Sequence, residues 1–227
     1  MTTPPSILNQ ITLGDCRELS RQIPDGSVDI IFTDPPYNRE ALPLYSWLAQ
    51  EAARVLKTGG FLLTYSGNSY LHEVMMALGK HLTYFWCYIA LDTGHSTVVW
   101  QRKTVVKHKA ILAYSKGPGK PRCNVLDVWS GSGRDKTFHA WGQDAATARY
   151  YIDCFSRPGE IVLDPFVGGG TVATVCRQIG RNFIAFEIDP QNVEIARNRL
   201  ATMQMPLIQV RNPGLKTGAC SFPQGAL

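Results

Sequence analysis

No stretch of this sequence is apolar over the roughly 18 residues that a membrane-spanning helix requires. The opening Met1-Thr2-Thr3-Pro4-Pro5-Ser6 lacks the basic-then-apolar layout of a secretory leader. Six cysteines (16, 87, 123, 154, 176, 220) include no Cys-x-x-Cys pair, and the five histidines show no metal-ligand spacing. Several cysteines fall in predicted core elements, which argues against a disulfide framework and against zinc. The absences together lead to the expectation of a cytoplasmic, intracellular protein in a reducing setting, with no metal and no membrane. Repeats and low-complexity segments are missing too. With 227 residues, 44% of them apolar, one domain with a proper core is expected. The net charge is only +5 and the isoelectric point about 8.9, so the placement of charge matters more than its sum.

Strand-like and helical patterns alternate along the chain. Ile11–Leu13, Val28–Phe32, Phe61–Tyr65, Thr83–Leu91, Ala110–Tyr114, Ile161–Leu163 and Asn182–Phe186 read as strands. Leu44–Leu56, Tyr70–Leu78, Ala145–Phe155, Thr171–Ile179 and Pro190–Met203 read as helices, the last with Pro at its first turn. Leu207–Val210 reads as a last strand, and Trp47 and Trp86 as packing residues. This alternation predicts an α/β fold, its mostly parallel sheet covered by helices on both faces. One domain is expected over residues 1–211, followed by a flexible, Gly/Pro-punctuated tail at 212–227.

Two short stretches follow apolar runs and so fall where buried strands stop, at the edge where open α/β sheets bind ligands. The first is Asp34-Pro35-Pro36-Tyr37. Two prolines remove two donors and fix φ, making a rigid turn. It carries a carboxylate (Asp34), a free carbonyl (Pro35) and an aromatic face (Tyr37). That set can grip a planar amine: carboxylate and carbonyl each accept a hydrogen from an NH2 group while the ring stacks on the heterocycle. A strand-ending turn with no further role would use the same residue types.

The second stretch, Asp164-Pro165-Phe166-Val167-Gly168-Gly169-Gly170-Thr171, opens a helix. Its glycines let backbone approach a ligand, and Glu187, 23 residues after Asp164, ends the next strand, where it can accept ribose hydroxyls. A dinucleotide would satisfy a glycine loop, yet the spacing is not Gly-x-Gly-x-x-Gly, and Asp164 would repel a pyrophosphate. It would welcome an ammonium. A ligand with a ribose, a cationic amino acid and no phosphate is S-adenosyl-L-methionine.

Gly14-Asp15-Cys16, then Asp34-Pro35-Pro36-Tyr37, then Asp164-Pro165-Phe166-x-Gly168-x-Gly170-Thr171, then Phe183–Asp189 is an ordered set. It resembles the amino-group DNA methyltransferases, with the catalytic motif ahead of the cofactor motif as in the circularly permuted β class. Arg54-Val55-Leu56-Lys57-x-Gly59-Gly60, His108-Lys109-Ala110-Ile111-Leu112 and Ala196-Arg197-x-Arg199-Leu200 match as well, so the resemblance covers residues 8–202. It implies a Rossmann-like S-adenosylmethionine-dependent fold with a mixed, mostly parallel sheet of seven strands. It assigns Asp34, Pro35, Pro36 and Tyr37 to catalysis. Asp15 and Cys16 go to the cofactor's adenine, Glu187 with Asp189 to its ribose, and Asp164, Pro165, Phe166, Gly168, Gly170 and Thr171 to its methionine part. Two departures stand out: Gly169 replaces the family's usual serine, and His139-Ala140-Trp141-Gly142-Gln143-Asp144 replaces His-Pro-Thr-Gln-Lys-Pro. Only His139 carries over as a cofactor contact.

The chemistry implied is direct transfer to an exocyclic amine of a base flipped out of double-stranded DNA, with no covalent intermediate. Asp-Pro-Pro-Tyr goes more often with adenine N6 than with cytosine N4 in the family, so N6-methyladenine is the expected product. N4-methylcytosine and an RNA adenine are the alternatives. A protein-glutamine methyltransferase would show Asn-Pro-Pro-Tyr and the reverse motif order. A DNA-binding module without the cofactor fits poorly with intact Asp15, Asp34, Tyr37 and Glu187. The setting implied is a bacterial or phage-encoded restriction–modification activity.

Between Thr93 and Leu126 there are seven basic residues and no acidic one. Arg102, Lys103, Lys107, Lys109, Lys116, Lys120 and Arg122, with His108 and Trp100 among them, therefore read as the DNA-contacting set. They fall in a short target-recognition insertion, about residues 92–142. Its small size predicts a short or degenerate recognition site, or help from a second copy in a homodimer.

Overall fold

The computed structural model describes residues 6–91, 96–130 and 144–202. The chain opens with β1 (Gln10–Leu13), α1 (Cys16–Leu19) and β2 (Val28–Thr33), then α2 (Leu42–Val55), β3 (Leu56–Ser66), α3 (Leu71–Leu78) and β4 (Thr83–Leu91). A small hairpin of β5 (Thr97–Val99) and β6 (Thr104–Val106) leads into β7 (His108–Ser115) and β8 (Val128–Ser130). The second half contains α4 (Ala145–Phe155), β9 (Ile161–Asp164), α5 (Thr171–Gln178), β10 (Asn182–Glu187) and α6 (Pro190–Thr202).

Among the described residues, eight strands form one sheet in the order β1-β10-β9-β2-β3-β7-β4-β8, and β5 pairs only with β6. Every neighbouring pair is parallel except the two made by β7, which runs against the rest between β3 and β4. The expected mixed, mostly parallel sheet is therefore present, with eight strands where seven were expected. The additional one, β8, pairs only with Ile89–Leu91, and three residues are too few to show an alternating pattern. The stretch expected to be an insertion, 92–142, contains β7, a strand inside the main sheet. His139, the expected strand at 207–210 and the tail lie outside the described residues.

Helices cover both faces, which explains why the strands read as continuous apolar runs rather than alternating ones. Ile30 and Phe32 of β2 pack on one face with Ala148 and Tyr151 of α4, Ala173 of α5 and Ala196 of α6. Ile31 points the other way, into a core with Leu48 and Ala52 of α2 and Val74 and Leu78 of α3. Local signals start these helices. Asp144 caps α4 by accepting from the backbone N–H groups of Ala146 and Thr147, and Asp189 accepts from Gln191 at the head of α6. Trp86, expected to pack, is half exposed instead. It lies on the stretch of β4 that β8 does not reach, so one edge there meets solvent. No helix among the described residues is long and apolar enough to cross a membrane.

The loop from β9 to α5 is held by one close approach. Gly170 caps α5 at φ +80°, and a Cβ there would lie 2.9 Å from the Cβ of Ala196 on α6. Gly168 also has positive φ (+48°), but a Cβ on it would meet nothing within 4 Å. Gly168→Ala should thus cost about 1 kcal/mol, the backbone term alone. Gly170→Ala adds overpacking against α6 and should cost about 2–4 kcal/mol in all. Urea unfolding of the two variants checks this, and equal losses would show that the Ala196 contact is not the constraint.

Candidate active site

Residues 34 and 164 meet because β2 and β9 are sheet neighbours, with Ile30 opposite Val162 and Ile31 opposite Leu163. At the end of this pair the Thr33 hydroxyl donates to Asp164 Oδ1 at 2.7 Å, and the Phe166 N–H reaches the same oxygen at 3.1 Å. The strand ends of β10 and β1 continue the row. Ala185 lies opposite Asp164, Glu187 lies opposite Leu13, and Gly14 N–H donates to the Glu187 carbonyl at 2.8 Å. Asp34, Asp164, Glu187 and Asp15 therefore stand along one carboxyl edge of the sheet.

Each carboxylate has its own surroundings. Asp34 Oδ1 accepts the Tyr37 hydroxyl, and Oδ2 accepts Lys109 Nζ at 3.2 Å. Pro35 is buried, while Pro36 is exposed. Glu187 Oε2 accepts Gly168 N–H at 2.8 Å, and Oε1 accepts the N–H groups of Ile188 and Asp189, so this residue shapes the glycine loop as well as ending β10. Asp15 caps α1 through Arg17 N–H and pairs with the Arg17 guanidinium, which holds its carboxyl below the usual range. Burial pushes the neighbouring Cys16 thiol up to about 12, leaving it an uncharged apolar contact. Asp164 is 3% exposed, and burial pushes its carboxyl up to about 7 against the lowering effect of its two hydrogen bonds. Among the described residues no hydrogen bond reaches its Oδ2.

Some contributors had no role assigned from sequence. Arg199, 5% exposed, donates from Nη1 to Thr171 Oγ1 (3.1 Å) and the Gly169 carbonyl (3.3 Å), tying the glycine loop to α6. Phe166, which the sequence did assign, stands edge-on to Trp47 of α2, with centroids 6.3 Å apart. Gly67, just after β3, allows Tyr37 its place: a Cβ there would lie 2.9 Å from the Tyr37 Cβ. Nothing in the sequence singled out Gly67 within the polar run at 66–69.

The basic set divides. Arg102, Lys103 and Lys107 are exposed on and beside the β5–β6 hairpin, and Arg102 reaches the Ser69 carbonyl just past β3, at the catalytic edge. Trp100, 79% exposed, stands on the same turn. His108 is part-buried, with its Nε2 3.5 Å from Asn68 Nδ2. Lys116, Lys120 and Arg122 correct the expectation, because they lie at the opposite edge. Lys116 Nζ donates to the Arg54 and Leu56 carbonyls at the C-terminus of α2. Arg122 bonds the Asp153 and Ser156 carbonyls at the end of α4, and Lys120 lines a cleft with Phe85 and Trp86. The cause is the reversed β7, which carries the chain from one sheet edge to the other within eight residues.

The family model described as DNA methylase matches residues 119–198, the cofactor half of the chain. The type II methyltransferase M.BamHI of Bacillus amyloliquefaciens is 28% identical over 85% of this chain, which spans 57% of that protein. Over that stretch the chain is similar to the N6/N4 family of amino DNA methyltransferases. Two solved DNA methyltransferases share its fold. The cytosine-N4-specific PvuII DNA methyltransferase superposes with a TM-score of 0.74 at 18% identity, covering 83% of this chain and 85% of that one. The complex of M1.HpyAVI with S-adenosylmethionine gives 0.69 at 24% identity, covering 88% and 100%.

The cofactor of this family is S-adenosylmethionine, and the residues here fit it. The edge carries carboxylates rather than phosphate-binding cations, and Gly168 leaves open space above the loop. Asp164 would meet the methionine ammonium through Oδ2, Glu187 the ribose, and Asp15 with Cys16 the adenine. Among the described residues no group of three His, Cys, Asp or Glu side chains could hold a metal ion.

The Asp164 carboxyl sets a pH dependence. Its folded pKa lies above its ordinary value of 3.8, so between about pH 4 and 7 the folded chain keeps a proton that the unfolded chain has lost. Its contribution to stability is present below pH 4 and is lost as pH rises through about 7. An ammonium ligand prefers the ionised form. Affinity for S-adenosylmethionine should accordingly rise between pH 5.5 and 7, approaching about tenfold per unit at the acid end, and Asp164→Asn should bind weakly without that slope. Calorimetric titration across the range checks both, and a slope retained in the Asn variant would assign the proton elsewhere.

Proposed function

We propose that this chain transfers the methyl group of S-adenosylmethionine to the N6 amine of an adenine turned out of duplex DNA. The observation that carries this reading is the junction of β2 and β9, where an amine-gripping turn begins one residue after a strand bonded to the cofactor strand. The amine of adenine is a poor nucleophile because its lone pair is delocalised into the ring. Hydrogen bonds from its two protons to the Asp34 carboxylate and the Pro35 carbonyl favour a pyramidal nitrogen with the lone pair free. Tyr37 covers the base and holds it out of the stack. When bound, the cofactor supplies an electrophilic methyl group on a positively charged sulfur. The chain contributes alignment, and the proton shed by the product leaves through Asp34, whose side chain is 15% exposed. Arg102, Lys103 and Lys107 take phosphates next to the target, and Trp100 lies against the duplex.

Cytosine N4 is the second reading. One solved structure with this fold is cytosine-N4-specific, and both bases offer an amine beside a ring nitrogen. The carboxylate at position 34, a stronger acceptor than a hydroxyl, favours adenine. The type II enzyme M.BamHI among the relatives supports a role as the modification half of a bacterial restriction–modification pair.

Modified DNA, digested to nucleosides and analysed by mass spectrometry, should yield N6-methyladenine. N4-methylcytosine as the sole product would replace the base and leave the mechanism. Asp34→Ala should lower turnover at least 100-fold, about 2.7 kcal/mol in the barrier, with the cofactor dissociation constant nearly unchanged. More than a tenth of the activity surviving would remove Asp34 from the reaction.

A further inference from the structure

Lys109 is the second residue of β7, at the catalytic edge, where Leu91 of β4 lies opposite His108 and Ser66 of β3 lies opposite Ala110. Counted along the sequence it is one more cation of the basic stretch, but its ammonium turns inward. Nζ donates to Asp34 Oδ2 and to the Tyr37 hydroxyl, both at 3.2 Å. It lies 5.2 Å from the Tyr37 ring centroid and 5.3 Å from that of Tyr65. The short distance to the hydroxyl and the long one to the centroid put the ammonium at the rim of the Tyr37 ring, so it leaves the face clear for a stacked base. A lysine ammonium carries three N–H donors; two are engaged here, and the third has no partner among the described residues.

Asp34 and Lys109 thus set an acceptor and a donor side by side at the rim of an aromatic platform. An amino-heterocycle shows the complementary pair: an exocyclic NH2 that donates and an adjacent ring nitrogen that accepts. We propose that Lys109 is a base-reading residue, donating a hydrogen bond to the ring nitrogen beside the target amine while Asp34 accepts from the amine itself. This rests on the reading of Asp34 as the acceptor of the target amine. It gives Lys109 a chemical role distinct from phosphate contact, and it means the turn reads two adjacent atoms of the base. A base without that acceptor leaves a part-buried ammonium proton unpaired, the kind of mismatch by which polar sites reject analogues strongly.

The test is a cycle of two proteins on paired duplexes. The site and product are first found by sequencing and nucleoside analysis of DNA modified by the wild-type protein. Wild type and Lys109→Met are then assayed on the natural duplex and on duplexes with the target replaced by 1-deazaadenine or 7-deazaadenine, or by 3-deazacytosine if the product is N4-methylcytosine. These analogues keep the amine and lose one neighbouring ring nitrogen. Wild type should lose about 10- to 100-fold in kcat/KM on one deaza substrate, whereas Lys109→Met, slower on the natural base, should show less than about a threefold further loss there. Equal losses by both proteins on every analogue would overturn the proposal. So would a Lys109→Met defect confined to DNA affinity, with a salt dependence shallower by about one phosphate contact. Failure of the wild-type protein to methylate the natural duplex would instead overturn the proposed function, and retained S-adenosylmethionine binding by Lys109→Met shows that the variant is folded.

Discussion

One hydrogen bond, from the Thr33 hydroxyl to Asp164 Oδ1, joins two motifs that are 131 residues apart in the chain. Both residues are buried, and each is the last of its strand. The register of β2 on β9 leaves no freedom at that point, because a one-residue slip would turn Ile30 and Ile31 to the wrong cores. Everything that follows in the site depends on this alignment. Asp34 comes next after Thr33, and the glycine loop comes next after Asp164. A methyl donor bound on one strand end and an amine held on the next would then be close without any separate hinge or domain closure.

The same edge concentrates like charge, and the fold manages it group by group. Asp15 is neutralised by Arg17, Asp34 by Lys109, and Glu187 is bonded by three backbone N–H groups of its own loops. Asp164 has no such cation, and both burial and the neighbouring Asp34 and Glu187 charges raise its pKa. Among the described residues it is the buried carboxyl of the edge without a cationic partner, and a ligand bearing an ammonium would supply one. The arrangement disfavours phosphate-bearing ligands for the same reason.

Much of the fold was legible beforehand. The helix at 145–155 and the strand at 83–91 match residue for residue, since an Asp cap and a long β-branched and aromatic run are strong local signals. β8 was not legible: three residues carry no period, and it exists only because β4 offers an unpaired edge. The glycine loop was recognised from its spacing. The two side chains that organise it, Arg199 and Glu187, act through contacts 28 to 30 and 19 residues away in the chain, which no local pattern encodes.

By itself the sequence determined which chemistry is available: a carboxylate, a carbonyl and an aromatic face on a proline-stiffened turn, and an acidic, glycine-rich loop with a second carboxylate one strand later. Those facts are local, since proline restricts φ and glycine frees it whatever the rest of the chain does. Only the tertiary structure decided which cations serve that chemistry. Lys109 and Lys116 are seven residues apart and alike in a count of charge, yet one bonds Asp34 and the other the carbonyls ending α2. An antiparallel strand inserted into a parallel sheet sends its two ends to opposite edges, and strand direction is a property of pairing partners rather than of the residues in the strand.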